Sequence, residues 1–236
     1  MRNYFTFDGL RSIDYGVLIS GEATYNAPAR DMTPITVPGR DGILTMDNGR
    51  FFPIEHTYPA FIIDGFDANI KAFRNAMMAR RGSLRLTDTY HSDEFYLAYY
   101  EAGLEAEVTR LKSAGSFDLT FTRDPRRFLT SGETVKICTG RNNFITNPTL
   151  FPSKPLIRAY GTGYFYIGDE VVTISAANEY TDIDCEIQEA YKGTVSCNQN
   201  VEFSGQDFPT LPPGATNISC FGSITSVEIT PRWFIL

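Results

Sequence analysis

At 236 residues the chain is comfortable for two domains of about 100–130 residues, and at that size roughly 70% of the unfolded surface is buried, so the core needs neither disulfides nor a structural metal. Hydrophobic residues at 42% and charged residues at 21% exclude disorder, collagen and coiled coil. Lys+Arg 21 against Asp+Glu 28 leaves a net charge of −7, which argues against a nucleic-acid groove or binding to an anionic membrane.

Phe 18 and Tyr 13 against His 2 and Trp 1 favour strands over metal sites. Tyr4-Phe5-Thr6-Phe7 and Tyr15-Gly16-Val17-Leu18-Ile19 read as short strands on either side of a polar turn. Pro38, Gly39, Arg40, Asp41 and Gly42 make a dense turn between Ile35-Thr36-Val37 and Ile43-Leu44-Thr45-Met46, and Asp47-Asn48-Gly49 reads as a second turn before the extended segment Phe51-Phe52-Pro53-Ile54. Two turns so close together suggest a protruding or edge-wrapping ribbon.

The spacing predicts one helix over 68–81. Asp67 is its N-cap, Ile70, Phe73 and Met77 share a face, Arg80 and Arg81 fill the last turn, and Gly82 stops it. That apolar stripe must lie on a sheet, with the Met77-Met78 pair as core filler. Extended structure resumes at 83–86, 95–100, 104–111 and 116–122; in the last, Phe117, Leu119 and Phe121 alternate with polar residues, as in a half-buried antiparallel strand.

Residues 130–155 are rich in Gly, Asn and Pro, and their composition places a domain boundary at 139–153. Beyond it, short strands without a helix are expected at 156–160, 164–167, 171–174, 183–187, 218–221 and 227–229, an antiparallel sandwich.

No nucleophile-elbow, zincin, phosphate-loop or dinucleotide pattern occurs, and Gly161-Thr162-Gly163 sits between expected strands rather than before a helix. His56 and His91 read as surface or hydrogen-bonded structural residues. Asp182 with Asp184, or Glu186 with Glu189, are the carboxylate pairs that suggest glycoside hydrolysis, and they read more simply as solvated acids on a strand face. Cys138, Cys185, Cys197 and Cys220 lack metal-ligand spacing and are expected to be buried free thiols, although three of them fall close enough in sequence for one adventitious disulfide. Trp233 is a candidate glycan or partner contact, but docking of the apolar C-terminal end into a core is the favoured reading. The cluster Arg123-Asp124-Pro125-Arg126-Arg127 is either a solvated corner or a patch for an acidic neighbour. No cofactor or metal is expected. With no run of 18 apolar residues and no apolar-centred leader, the chain is expected to fold in a cytoplasm, away from membranes.

Segments spread over nearly the whole chain resemble one family. They are Tyr15-Gly16-Val17-Leu18-Ile19-Ser20-Gly21, Val37-Pro38-Gly39-Arg40-Asp41-Gly42, the helix, residues 117–121 and Asp124-Pro125-Arg126-Arg127-Phe128-Leu129 in the first half. In the second half they are Asn147-Pro148-Thr149, Ser153-Lys154-Pro155-Leu156-Ile157, Tyr160-Gly161-Thr162-Gly163, Phe208-Pro209-Thr210-Leu211-Pro212-Pro213-Gly214 and Ile229-Thr230-Pro231-Arg232-Trp233. Their order and spacing are similar to the distal tail proteins of bacteriophages with long non-contractile tails.

The resemblance implies a mainly β protein with one helix. Residues 1–138 would be a split β-barrel or sandwich-like ring domain, 139–153 a linker, and 154–236 a galectin-like antiparallel β-sandwich that points outward. It further implies a homo-hexameric ring in the virion, at the tail tip, made in the host bacterial cytoplasm, and in such a ring residues 37–48, with Val37, Pro38, Gly39, Arg40, Asp41 and Gly42 at their head, are expected to contribute to the contact with the neighbouring subunit. Its partners would be the major tail or tube protein, the tail-associated lysin or central fibre and, in many members, receptor-binding proteins; DNA would pass through the lumen without sequence-specific contact. The expected role is structural and not enzymatic. The alternatives from other classes are a carbohydrate-binding module for host cell-wall glycan and a tail-associated glycan hydrolase.

Overall fold

The structure is a computed structural model that describes residues 2–20, 26–109, 113–177 and 179–236. Two compact units divide the chain, Met1–Arg127 and Phe128–Ile235, each with its own apolar core. The second unit thus starts ahead of residues 139–153.

The first unit contains β1 (Phe5–Phe7), β2 (Leu10–Arg11), β3 (Val17–Ile19), β4 (Arg30–Ile35), β5 (Leu44–Phe51), β6 (Ile54–Ile62), α1 (Phe66–Met78), β7 (Leu84–Asp88), β8 (Glu94–Tyr99), β9 (Ala106–Thr109) and β10 (Ala114–Arg123). Its main sheet runs β2-β1-β7-β8-β10-β6-β3, with β9 beside the start of β10; β4 and β5 pair only with each other. The β1–β2 connection is Asp8-Gly9, both at positive φ (48° and 75°), the backbone that a two-residue hairpin matched to strand twist requires.

Burial along β10 alternates as expected: Phe117, Leu119 and Phe121 face inward. The alternation runs one step further, to Arg123, which is 2% exposed. Phe121 meets Phe5 and Phe7 edge-on at ring-centroid distances of 5.5 and 5.2 Å, a geometry favoured by ring quadrupoles. The helix seals this cluster, with Phe73 packing on Phe5 and Tyr15 at 6.3 and 5.9 Å.

The helix begins two residues earlier than its sequence signals suggest. Gly65, in a left-handed conformation, precedes it, and no side chain caps it; Asp67 instead forms an i,i+4 ion pair with Lys71 at 2.7 Å. It ends at Met78, so Arg80 lies beyond it, where its guanidinium donates to the carbonyls of Ala76 and Phe7. Of the methionine pair, Met77 is core and Met78 is 48% exposed.

Strand β6 is unexpected beyond Ile54. It pairs with β10 along its whole length and sends Tyr58, Ala60 and Ile62 inward. Pro59 within it hides the pattern from a propensity reading.

The second unit holds β11 (Arg127–Leu129, its first residue still in the first unit), β12 (Lys136–Cys138), β13 (Asn143–Asn147), β14 (Leu156–Tyr160), β15 (Gly163–Ile167), β16 (Glu170–Ile174), β17 (Tyr180–Asp184), β18 (Glu189–Lys192), β19 (Val195–Ser196), β20 (Val201–Phe203), β21 (Gly214–Gly222), β22 (Ser226–Thr230) and β23 (Phe234–Ile235). Two antiparallel sheets, β12-β22-β14-β17-β18-β19 and β13-β21-β15-β16-β20, enclose a core that includes Ile157, Phe165, Val172, Ile183, Ile218, Val227 and Trp233. Residues 136–138 and 143–147, partly inside the expected linker, are strands of these sheets. Strand β17 lies three residues upstream of its expected place, and Ile187, expected inside it, is 58% exposed in a turn. The chain is mainly β with one α-helix among the described residues, the expected fold class.

Candidate functional site

Strands β4 and β5 form a ribbon whose residues 37–42 are all at the tip and exposed. Gly39 and Gly42 sit at φ 79° and 82°, conformations open to glycine at no steric cost, and the Arg40 N–H donates to the Val37 carbonyl at 3.2 Å. Asp47-Asn48-Gly49 is not a second turn. It is an irregularity within β5, where the register passes from Met32↔Asp47 to Arg30↔Phe51. A left-handed Gly49 and the Asp47 carboxylate accepting its N–H at 2.9 Å make that bulge, and the same residue types make turns.

Polar cross-strand contacts fasten the ribbon. Arg50 Nε pairs with Asp31 at 2.6 Å, Arg30 with Asp47 at 3.2 Å, and Asn48 Nδ2 donates to Asp31 and Thr33, each at 2.9 Å. Its apolar residues are not packed. Ile35 and Leu44 face each other across the ribbon, and Met46, two residues along, shares their face. They are 42%, 38% and 51% exposed. A two-stranded ribbon is marginal on its own in water, and its own unit leaves this stripe open to solvent. The sequence pattern locates the tip but not the stripe, which emerges only once the cross-strand register is known.

Near the ribbon's base, Asn26 is held by two buried arginines. Arg123 Nη2 donates to its side-chain oxygen at 2.8 Å and Arg127 Nη2 to its carbonyl at 2.6 Å. Arg123 lies over the Tyr96 ring at 4.1 Å, and Arg127 is 3.7 Å from Glu94. Arg126 pairs with Asp124 at 3.0 Å. The basic cluster is therefore neither a solvated corner nor an open patch, because the two outer arginines fall on inward positions of their strands.

Groups that resemble catalytic residues are committed elsewhere. Tyr58 Oη donates to Asp88 at 2.7 Å, and the other Asp88 oxygen accepts the N–H groups of Tyr90 and His91, each at 2.9 Å. His56 lies edge-on to Tyr58 at 4.3 Å; burial, then the positive field of Arg123, push its pKa down to about 4. The cavity among these groups has a volume of about 20 Å³, room for about one water and none for a substrate.

In the second unit, Asp182 and Asp184 are not solvated acids. Arg158 binds Asp182 through Nε and Nη2 at 2.6 and 2.8 Å, and Arg232 binds Asp184 through both terminal nitrogens at 2.6 and 2.9 Å. Burial works to raise the Asp184 pKa, but Arg232 and the N–H groups of Glu186 and Ile187 outweigh it and hold the carboxyl below its ordinary value. A fork-bound, ionised carboxylate donates no proton.

Trp233 is 3% exposed, inside the second unit's core, and presents no ring face to a sugar. Rings that do reach the outward side of the five-stranded sheet include Phe144, at 66% exposure, and Tyr164 and Tyr166, which sit beside the half-buried Phe221. Tyr164 stacks on Phe221 at 5.0 Å, Tyr166 meets it edge-on at 5.5 Å, and Arg141 lies over it at 4.6 Å. The four cysteines are free, with Cys138, Cys185 and Cys220 buried. Among the described residues, no group of three or more His, Cys, Asp and Glu is placed to hold a metal, and no helix is long and apolar enough to cross a membrane.

The molecule thus belongs to the class of antiparallel β proteins that join a helix-bearing sheet with a projecting ribbon to a second, sandwich unit. Among solved structures the same architecture is that of SPP1 Dit (gp19.1), described as a paradigm of the hub adsorption apparatus in phages that infect Gram-positive hosts. The two chains match over 100% of each, with 16% sequence identity and a TM-score of 0.72. No protein-family model matches the chain, and no curated protein matches it.

Proposed function

We propose that this protein is a structural hub of a phage tail tip, a distal tail component whose copies close head to tail into a hexameric ring. The observation that carries the reading is the ribbon, which projects an apolar stripe that its own unit leaves open. A ribbon that fits a different surface on the next copy makes a heterologous contact, and such contacts generate rings when the rotation closes. The likeness of the whole chain to SPP1 Dit supports the setting.

In this reading the first unit forms the ring, which joins the tail tube to the lysin or central fibre and to receptor-binding proteins. DNA crosses its lumen, and a protein of net charge −7 does not retain a passing polyanion. The protein acts in the virion after synthesis in the host cytoplasm, and it contributes geometry without catalysis, as the tied carboxylates and the enclosed histidine suggest. Mass photometry and negative-stain imaging of the purified chain test this: a closed hollow oligomer of six copies is expected, and a monomer at every concentration overturns it.

One observation favours a second reading, glycan recognition. The surface rings Tyr164, Tyr166 and Phe221, rather than Trp233, would stack on sugar faces. A glycan array probed with the full chain, and with Tyr164→Ala and Tyr166→Ala together, tests it; no signal for the parent chain excludes it.

A further inference from the structure

The outward face of β6 and β10 carries a groove of about 1080 Å³, walled by the segment before and into β9. That lies at the upper end of the range for small-molecule pockets and leaves room for a length of peptide. Its described lining includes Glu105, Glu107 and Asp118 and no lysine or arginine. All three carboxylates are exposed, and none is in an ion pair among the described residues. Pro59 and Phe61 supply apolar surface beside them.

The ribbon tip has the complementary chemistry. Arg40 is exposed and without an ion pair among the described residues, and Val37 and Ile43 flank it at 37% and 63% exposure. The eight residues of β5 span about 27 Å, so the tip stands well clear of the ribbon's base.

We propose that the tip of the ribbon, residues 37–43, seats in this groove on the next copy, with Arg40 among Glu105, Glu107 and Asp118 and with Val37 and Ile43 against Pro59 and Phe61. The inference rests on the ring reading above and names the receiving surface. Tip and groove are different patches on one chain, so the contact runs in one direction, as a ring requires and a two-fold dimer does not. Opposite charge across the contact sets register and speeds encounter.

Cross-linking and charge reversal of the full-length chain test it. Arg40→Cys combined with Glu107→Cys is expected to give a ladder of covalent multimers on mild oxidation, whereas the parent chain, and Arg40→Cys combined with Glu202→Cys, give none. Arg40→Glu is expected to raise the concentration needed for assembly by about tenfold or more, and adding Glu107→Arg restores it. Both positions are exposed, and an unchanged circular dichroism spectrum confirms folding. An oligomer that forms normally in Arg40→Glu, together with no covalent ladder from the double-cysteine variant at positions 40 and 107, overturns the groove as the seat while leaving the ring intact. A parent chain that stays monomeric overturns the ring reading itself.

Discussion

Acid acts on the fold through His56. In the unfolded chain it takes up a proton near pH 6.5, but in the fold only near pH 4, because burial and Arg123 oppose its charge. Its contribution to stability is therefore complete above pH 6.5 and is lost as the pH falls towards 4, at a slope approaching about 1.4 kcal/mol per pH unit. Urea midpoints measured from pH 7 to 4 are expected to fall in the parent chain and to flatten in His56→Gln. Gly115 is equally constrained, by shape rather than charge: a Cβ there meets the Phe66 ring and the Glu107 carbonyl. Gly115→Ala should cost about 1–3 kcal/mol in denaturant unfolding. Removing the fork on Asp184 with Arg232→Ala should cost a similar amount, about 1–3 kcal/mol, by leaving a mostly buried carboxylate short of donors. None of these roles is legible in sequence. Arg123 reads as surface until the inward alternation of β10 is carried one residue further.

Among elements, the ribbon is where folding can be tested apart from the proposed ring assembly. Its residues are exposed or half-exposed throughout, so replacing residues 33–46 by a two-residue Asn-Gly turn should leave the thermal midpoint within a few degrees of the parent while abolishing the oligomer in mass photometry. Persistence of the oligomer removes the ribbon from the contact. The strongest periodic segments are legible in the sequence: β10 by its alternation of two, and α1 by Ile70, Phe73 and Met77. The helix start is not, because the capping residue is a left-handed Gly65 rather than the acid two residues on. Strand β6 escapes because Pro59 interrupts its signal, although the proline tolerates its position opposite Asp118. The bulge in β5 reads as a turn because Asp-Asn-Gly writes both with the same letters.

At the scale of the molecule, composition marks residues 139–153 as a break because Gly, Asn and Pro gather there. Yet β12 is a terminal strand of one sandwich sheet and β13 of the other, and flank strands tolerate those residues better than central ones. A fragment of residues 128–236 should therefore unfold cooperatively, and one of residues 154–236, stripped of both strands, should bind hydrophobic dye and lack a sharp transition. Equal behaviour of the two fragments would show that β12 and β13 are dispensable.

The unlinked cysteines carry a consequence for how the protein ages. Burial lifts the thiol of Cys138 to about 11 and that of Cys185 to about 12, and it raises Cys220 as well. The thiolate is the species that oxidants and electrophiles attack, so these three are inert while the sandwich stays closed. Only Cys197 is partly exposed. Ellman's reagent should therefore titrate one thiol in the native chain and four in guanidinium, and long storage in aerated buffer should leave the sandwich sound.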